Sequence, residues 1–332
     1  MKTLFAFAAL ISLLAVPSSS QSFPAAEATK LAHEYLTDIY ADQTSALWKN
    51  MTAEMQSALK SEVDFANTSR QINAQLGKEI SVDTERTMPA PHAQVYTRLA
   101  RFSAVPIAVV VMFSFDDSGK IAGLYFRPAQ NPAESKYLDY KDKTKYFLPL
   151  KGTWLVYQGG RSTFDNYHAA FPDERFAYDI VGVQEGRLYS GSGDKVEDYF
   201  GFGKPVAAPA DGSVVSAVDE YDDNPVLKPS EKNPKQGNNV VIDHGNGEFS
   251  MLAHLKRGSV KVKAGDKVKA GQEMALCGNS GNSPFPHVHY HLQTTSEWFH
   301  GDGLPLQFHD YTANGKSVNT GEPVQGDVIA SK

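Results

Sequence analysis

The sequence of 332 residues contains a single cysteine, Cys277, so no disulfide can form within the chain. It also has no block of lysine or arginine, and its formal net charge is −6. Nothing therefore favours binding to nucleic acid or to an anionic membrane surface. Stability must come from core packing or from a bound metal, and the apolar content of 41% is ordinary for a globular protein.

Residues 1–20 have the features of a secretory signal peptide. Lys2 supplies a positive start, Leu4 to Val16 is nearly all apolar, and the serines at 18–20 offer small residues for cleavage. The apolar run is too short for a comfortable membrane span. We therefore expect an exported protein, periplasmic or secreted. No cysteine follows closely, so we expect no membrane anchor in the mature chain.

Residues 21–130 predict a small α+β module. Leu31, Tyr35 and Ile39 recur at four-residue spacing, which indicates a helix with one face in a core. Strand-like runs follow, and the turn residues 116–119 join the last two as a hairpin. The order of elements is loosely similar to that of cystatin-like or nuclear-transport-factor-like modules. Wall binding, a pro-segment role and pairing are equally compatible with it.

The stretch from Pro128 to Lys145 is rich in proline, asparagine, lysine and aspartate, so we expect a linker at 131–150. From 151 to 305 the sequence consists of short apolar or alternating runs, separated by turn pairs such as Asp211-Gly212. This pattern predicts a mainly-β, antiparallel domain with a sheet groove. We expect residues 306–332 to form a tail that packs on it.

Three histidines alternate near the end of this domain, at His287, His289 and His291. In a β-strand, alternate side chains point to one face, so the three imidazoles would lie side by side. Imidazoles in this arrangement can share a metal, or bind a metal and a substrate separately. A polar strand face with surface histidines is the alternative.

Two further residues are candidates for the same site. Asp179 lies in the otherwise apolar run 176–181, where a carboxylate must be paired, hydrogen-bonded or bound to a metal. A salt bridge to Arg175 or Arg187 is the alternative explanation. His254 ends another apolar run, and it could be a packing group or a catalytic group.

Together these segments resemble the lysostaphin/LytM class of zinc metalloendopeptidases, which hydrolyse peptide bonds in bacterial peptidoglycan. The similar sequence extends from about Trp154 to Gln293. It comprises the blocks Pro205–Gly212, Val240–Gly247, Ala253–Leu255, Val262–Gln272, Gly278–Ser283 and Pro286–His289. Several ordered blocks are a more specific signal than one motif.

The resemblance implies a role for each residue. His289, the second histidine of the His-x-His motif, would bind one zinc ion per chain together with Asp179. His287, the first histidine of the motif, and His254 would be catalytic. No role transfers to His291.

The chain departs from the family pattern at one position. The family usually has a histidine four residues before the aspartate, where this sequence has Arg175. A branch that looks like the LasA and β-lytic proteases places the histidine further upstream. His168 lies eleven residues before Asp179 (179 − 168), and we expect it to be the third protein ligand.

The sequence thus predicts an exported zinc endopeptidase that cleaves peptidoglycan peptides by metal-activated water. The alternative is a catalytically degenerate binding or activator protein of the same fold, and Arg175 is the feature that supports it. The run 265–272 is also similar to biotinyl and lipoyl carrier domains, but their acceptor lysine is missing from the residues that follow. The oligomeric state is left open.

Overall fold

The computed structural model describes residues 23–332, so the predicted signal peptide at 1–20 lies outside the described residues. The chain divides into two compact units between Ala129 and Gln130. No helix within residues 23–332 has the length and apolar character needed to cross a membrane.

The first unit consists of helices followed by an antiparallel sheet. The helices are α1 (Ala25–Tyr40), α2 (Ser45–Lys49), α3 (Ala53–Leu59) and α4 (Glu62–Leu76). The strands are β1 (Glu79–Ala90), β2 (Ala93–Phe102), β3 (Val109–Asp116) and β4 (Ile121–Pro128). They hydrogen-bond in chain order, and the predicted α+β architecture is confirmed.

Helix α1 shows how this unit forms its core. Its buried stripe is Ala28, Ala32, Leu36 and Ile39, which recur at helical spacing and face the sheet. The predicted stripe shares only Ile39 with it, because Leu31 and Tyr35 flank the stripe and are partly buried. The small alanines allow the helix to approach the sheet closely.

The second unit is mainly β, as predicted. Its strands are β5 (Tyr146–Phe147), β6 (Thr153–Gln158), β7 (Tyr178–Gly182), β8 (Pro205–Ala207), β9 (Gly212–Val218), β10 (Asn238–Asp243), β11 (Phe249–Leu255), β12 (Lys267–Val268), β13 (Glu273–Leu276), β14 (Val288–Gln293), β15 (Gly303–Leu304), β16 (Phe308–Ala313), β17 (Lys316–Gly321) and β18 (Val328–Ser331). Two short 3₁₀ helices accompany them, at Tyr167–Ala170 and Val196–Asp198.

One large sheet dominates this unit. Its strand order is β12-β9-β10-β11-β14-β7-β6-β18-β16-β17, while β13 and β8 form a separate pair. Strands β11, β14 and β7 lie side by side and pair antiparallel. The core beneath them includes Trp154, Tyr290 and Phe308, all fully buried. The sheet therefore brings together strands that are far apart in the sequence.

The segments at both ends of this unit are more ordered than the sequence indicates. Residues 131–150, expected as a linker, belong to the second unit, and Tyr146, Leu148 and Leu150 lie in its core. These apolar residues follow a polar stretch, and it was the composition of that stretch that predicted a linker. Residues 306–332, expected as a tail, supply three strands of the large sheet.

A buried carboxylate holds the segment before β5 in place. Glu248 has no exposed surface, and its carboxylate accepts hydrogen bonds from the hydroxyls of Tyr140 (2.9 Å) and Tyr146 (3.1 Å). It also accepts one from the backbone N–H of Lys143 at 2.7 Å. Because a buried carboxylate needs such donors, this contact ties the segment firmly to the turn before β11.

Asp142 lies in the same segment and is poorly compensated. Its Oδ2 accepts a hydrogen bond from the backbone N–H of Gln307 at 2.6 Å, whereas its buried Oδ1 has no partner among the described residues. Burial, together with the charges of Glu248 and Glu322, raises the pKa of Asp142 to about 7. The folded state therefore holds this proton more tightly than the unfolded chain does.

We expect Asp142→Asn to stabilise the second unit at pH 8 but not at pH 4. As pH rises between about 4 and 7, the unfolded chain ionises Asp142 while the folded state resists, so the parent loses stability through that window. The full shift corresponds to roughly 4 kcal/mol, and we expect about 1–3 kcal/mol because Asp142 retains some solvent contact. Urea unfolding at both pH values measures the difference. The exposed Asp139→Asn is the control, and equal effects of the two variants at pH 8 would refute the prediction.

Candidate metal and catalytic site

The site is built on the pairing of two central strands. Asp179 on β7 lies directly opposite His289 on β14, and His289 Nδ1 is 3.0 Å from Asp179 Oδ1. His168, on the 3₁₀ helix that precedes β7, places its Nε2 3.8 Å from Asp179 Oδ2. One ligand atom from each of the three lies within 4.8 Å of the others, and all three residues are buried. The structure therefore brings together the three residues expected to bind metal.

Asn166 determines how His168 enters the site. Its side-chain amide donates to the backbone carbonyls of Gly160 (3.1 Å) and Ala177 (2.9 Å), so its Oδ1 is turned the other way. That oxygen accepts from the backbone N–H of His168 and lies 2.9 Å from its Nδ1. An amide oxygen can only accept, so Nδ1 carries the proton and Nε2 has a free lone pair. A metal ion binds the ring nitrogen that has a free lone pair, which in His168 is Nε2.

His254 and His287 lie beside this group and are oriented by backbone carbonyls. His254 Nδ1 is 2.8 Å from the carbonyl oxygen of Ser280, and His287 Nδ1 is 2.8 Å from that of Phe285. Both Nδ1 atoms must therefore carry the proton, which leaves Nε2 of each ring to exchange protons. The two ring centroids are 4.6 Å apart, and His287 Nε2 is 3.5 Å from an oxygen of Asp179.

The backbone at His254 is strained. Its φ is +59°, a left-handed conformation that few non-glycine residues adopt in a strand. The hydrogen bonds of its backbone N–H to Gln236 and of its ring to Ser280 hold it there. Strain of this kind concentrates at functional sites, where surrounding contacts over-determine one conformation.

The electrostatics of the group suit a divalent cation. Burial opposes charge on Asp179, but the surrounding imidazoles of His168, His287 and His289 hold the pKa of its carboxyl well below its usual range. Burial lowers the pKa of His168 to about 3, and burial likewise lowers the pKa of His254 well below its usual value. Burial opposes charge on His289, but its contact with Asp179 and the nearby carboxylates raise the pKa of this imidazole. Zinc prefers nitrogen and carboxylate donors, and a bound ion would displace the proton between His289 and Asp179.

The alternative pairings of Asp179 are not observed. Arg175 donates from Nε to the carbonyl of Ala133 at 2.9 Å, and its guanidinium lies 4.9 Å from the ring centroid of Phe176. Arg187 forms a surface ion pair with Glu185 instead. The residue at the usual histidine position is thus directed away from the ligand cluster.

Sequence reasoning did not assign three residues that the structure places at this site. Asn166 orients His168, and its nearness in the sequence was the only available signal. Nδ1 of His291 lies 2.9 Å from Nε2 of His289. Oε1 of Glu174 is 3.8 Å from the same nitrogen of His289. Glu174, His289 and His291 form a second group with the composition of a metal site.

We expect Asn166→Leu to weaken divalent-metal binding by about 10-fold or more, because His168 loses the acceptor that selects its bare nitrogen. Stability should also fall by about 1–3 kcal/mol, since two buried carbonyls lose their donors. Thermal unfolding with and without added zinc measures both effects. Asn67→Leu, on the exposed face of α4, is the control, and an unchanged zinc-induced shift in Asn166→Leu would contradict the role given to Asn166.

Part of this region matches the sequence model of a known protein family. Residues 197–301 match Peptidase family M23. The matched stretch includes His254, His287 and His289, whereas His168 and Asp179 lie upstream of it.

Curated relatives are similar over short stretches. Peptidoglycan DD-endopeptidase ShyA of Vibrio cholerae is 38% identical over 90 residues, which are 27% of this chain and 17% of that protein. Glycyl-glycine endopeptidase ALE-1 of Staphylococcus capitis is 31% identical over 117 residues, which are 35% of this chain and 27% of that protein. The chain thus spans about a sixth to a quarter of the length of these two relatives.

Among solved structures, a mutant catalytic domain of the prophage-encoded M23 protein EnpA from Enterococcus faecalis is 26% identical, with 38% of this chain and 83% of that chain covered. Its TM-score is 0.24, so this likeness carries no weight for the geometry of the site. The resemblance drawn from the sequence motifs is confirmed by the family match and the curated relatives. The second unit contains a peptidase family M23 domain, over residues 197–301.

Proposed function

We propose that this chain is an exported, zinc-dependent endopeptidase that hydrolyses peptide bonds in bacterial peptidoglycan. The observation that carries the proposal is the buried cluster of His168, Asp179 and His289, flanked by His254 and His287. A structural metal site is closed by four protein ligands, whereas three ligands leave a position for water or substrate. The cluster, with two histidines and one aspartate, has the composition of a three-ligand site that leaves a position open.

The residues present fit one zinc ion per chain. His168 and Asp179 direct nitrogen and oxygen atoms toward the site, and His289 adds Nδ1, so the set is two nitrogens and one carboxylate. Asn166 supplies the second contact that zinc-binding histidines generally make through their other nitrogen. Bound zinc would lower the pKa of a water molecule to about 7 and polarise the scissile carbonyl.

His254 and His287 supply the proton chemistry in this proposal. Because Nδ1 of each donates to a backbone carbonyl, each ring can take a proton at Nε2 without turning. One can accept the proton of the attacking water, and the other, once protonated, can donate a hydrogen bond to the oxyanion that develops on the substrate. Fixed acceptors behind both rings mean that little reorganisation accompanies the reaction.

Peptidoglycan as the substrate is supported by the relatives. ShyA is named a peptidoglycan DD-endopeptidase and ALE-1 a glycyl-glycine endopeptidase. The signal-peptide features of residues 1–20 would carry the chain across the membrane to that substrate, in the periplasm or outside the cell.

A binding or activator role without catalysis is the second candidate, and Arg175 is the feature that favours it. The position of His168 weakens that argument, because a histidine from an adjacent segment reaches Asp179. All five expected site residues are buried and lie close together, which supports the hydrolase over the binding role.

We expect the purified mature chain to contain about one zinc ion and His168→Ala to lose tight zinc binding, because only two protein ligands would remain. Elemental analysis after dialysis against a weak chelator measures this. A parent chain that stays metal-free with added zinc at neutral pH would overturn the hydrolase proposal in favour of the binding role.

We expect His287→Ala to retain zinc but to lose about 10²–10⁴-fold in turnover, since it removes a proton-transfer group and no ligand. The assay digests purified peptidoglycan and detects released peptides and their new termini by mass spectrometry. His309→Ala, on β16, is the matched control. Loss of zinc from His287→Ala, or undiminished turnover, would show that His287 has a different role.

A further inference from the structure

Strand β14 carries a row of polar side chains that continues beyond the expected ligand. His289 Nε2 lies 2.9 Å from His291 Nδ1, and His291 Nε2 lies 2.9 Å from Gln293 Oε1. Exposed fractions are 4%, 1% and 0% for His289, His291 and Gln293, so water does not compete for these contacts. Three buried polar side chains are thus joined end to end.

The far end of the row is anchored by the backbone. Gln293 Nε2 donates to the carbonyl oxygens of Thr295 at 2.9 Å and Glu297 at 2.7 Å. A carbonyl oxygen can only accept, so the amide nitrogen must face these residues and Oε1 must face His291. The orientation of the Gln293 amide is therefore determined by its neighbours.

The proton positions along the row follow from this anchor. Because Gln293 Oε1 can only accept, His291 Nε2 carries a proton, and the neutral ring then has a bare Nδ1. That nitrogen accepts a hydrogen bond from His289 Nε2–H, so Nδ1 is the nitrogen of His289 that is left for a metal. Without metal, Nδ1 donates a proton to Asp179 Oδ1 at 3.0 Å; a bound ion would displace that proton and leave Nε2 as the protonated nitrogen.

An indole ring covers the row. The ring of Trp298 lies edge-on to His291, with centroids 5.4 Å apart, and 6.4 Å from the ring of His289. Its Nε1 donates to Asn239 Oδ1 at 3.1 Å, which holds the ring in place. Within this enclosed space, an unpaired N–H would have no water to bond with, so the tautomer of His289 is energetically well determined.

We infer that His291 and Gln293 are positioning residues, which hold His289 in the tautomer that offers Nδ1 to the metal. This inference rests on the zinc site of the proposed function and assigns His291, which the resemblance leaves without a role. The arrangement parallels the one at His168, where Asn166 is the acceptor. Both histidine ligands are then oriented by side-chain amides that are themselves held by backbone carbonyls.

The second group of potential ligands, Glu174 with His289 and His291, gives a competing interpretation. A second metal there would need a bare Nε2 on His289. The 2.9 Å contact to His291 occupies that atom with a hydrogen bond, whereas Glu174 Oε1 is 3.8 Å away. The geometry thus favours the row over a second metal.

The first test compares His291→Leu with His291→Asn in the full chain, with zinc affinity measured by chelator competition. Asparagine places Oδ1 close to the position of His291 Nδ1 and keeps the acceptor, whereas leucine removes it. We expect zinc binding to weaken about 10–100-fold in His291→Leu and to stay within a few-fold of the parent in His291→Asn. His309→Leu is the control for losing a histidine elsewhere.

The second test needs no substitution. Nitrogen-15 spectra of histidine in the zinc-loaded chain report which ring nitrogens are protonated, and we expect the proton of His291 on Nε2 and that of His289 on Nε2. A proton on His291 Nδ1 would overturn the inference, even if His291→Leu failed to fold.

The possible results separate the two proposals. A parent that holds zinc while His291→Leu binds it equally well would overturn this inference alone. Two zinc ions in the parent and one in His291→Leu would establish the second metal group instead. A parent without zinc would remove the proposed function and this inference together.

Discussion

The pairing of Asp179 with His289 is the constraint on which the rest of the site depends. Burying a carboxylate in a sheet costs free energy. At Asp179 this cost is offset by the surrounding imidazoles rather than by a lysine or an arginine. Because β7 and β14 are neighbours in register, the two residues face each other without any loop having to position them. The other site residues are arranged around this pair.

Backbone carbonyls determine the chemistry of the surrounding histidines. The carbonyls of Ser280 and Phe285 orient His254 and His287 directly. The two histidines expected to bind metal are oriented through side-chain amides, His168 by Asn166 directly and His289 by Gln293 through His291. Since carbonyls neither rotate nor change protonation, they select a single tautomer for each ring. The orientation of the rings is thus set by groups that lie outside the cluster of expected site residues.

The segment that matches the peptidase family does not contain the whole site. Residues 197–301 supply three of the five expected residues, while His168 and Asp179 come from the chain before it. That upstream chain is tied to the unit at Glu248 and through strand β7. Residues 130–196 therefore contribute two of the five expected site residues and belong to the same compact unit.

The sequence by itself determined the architecture of both units and the side chains that can do chemistry. Helical spacing and strand alternation are local properties, so the α+β and mainly-β architectures could be predicted, as could the shared face of His287, His289 and His291. A carboxylate in an apolar run likewise signals a partner.

Only the tertiary structure decided how these residues meet. Whether His168 reaches Asp179 depends on the path of a loop, which periodicity does not encode. The roles of Asn166 and Gln293 depend on which backbone carbonyls their amides face, and this is decided by how the nearby chain turns rather than by the residue types. The placement of residues 140–146 likewise depends on Glu248, about one hundred residues further along the chain. Hydrogen bonds between distant segments can be identified only in the folded structure, because the sequence records which groups exist but not which of them become neighbours.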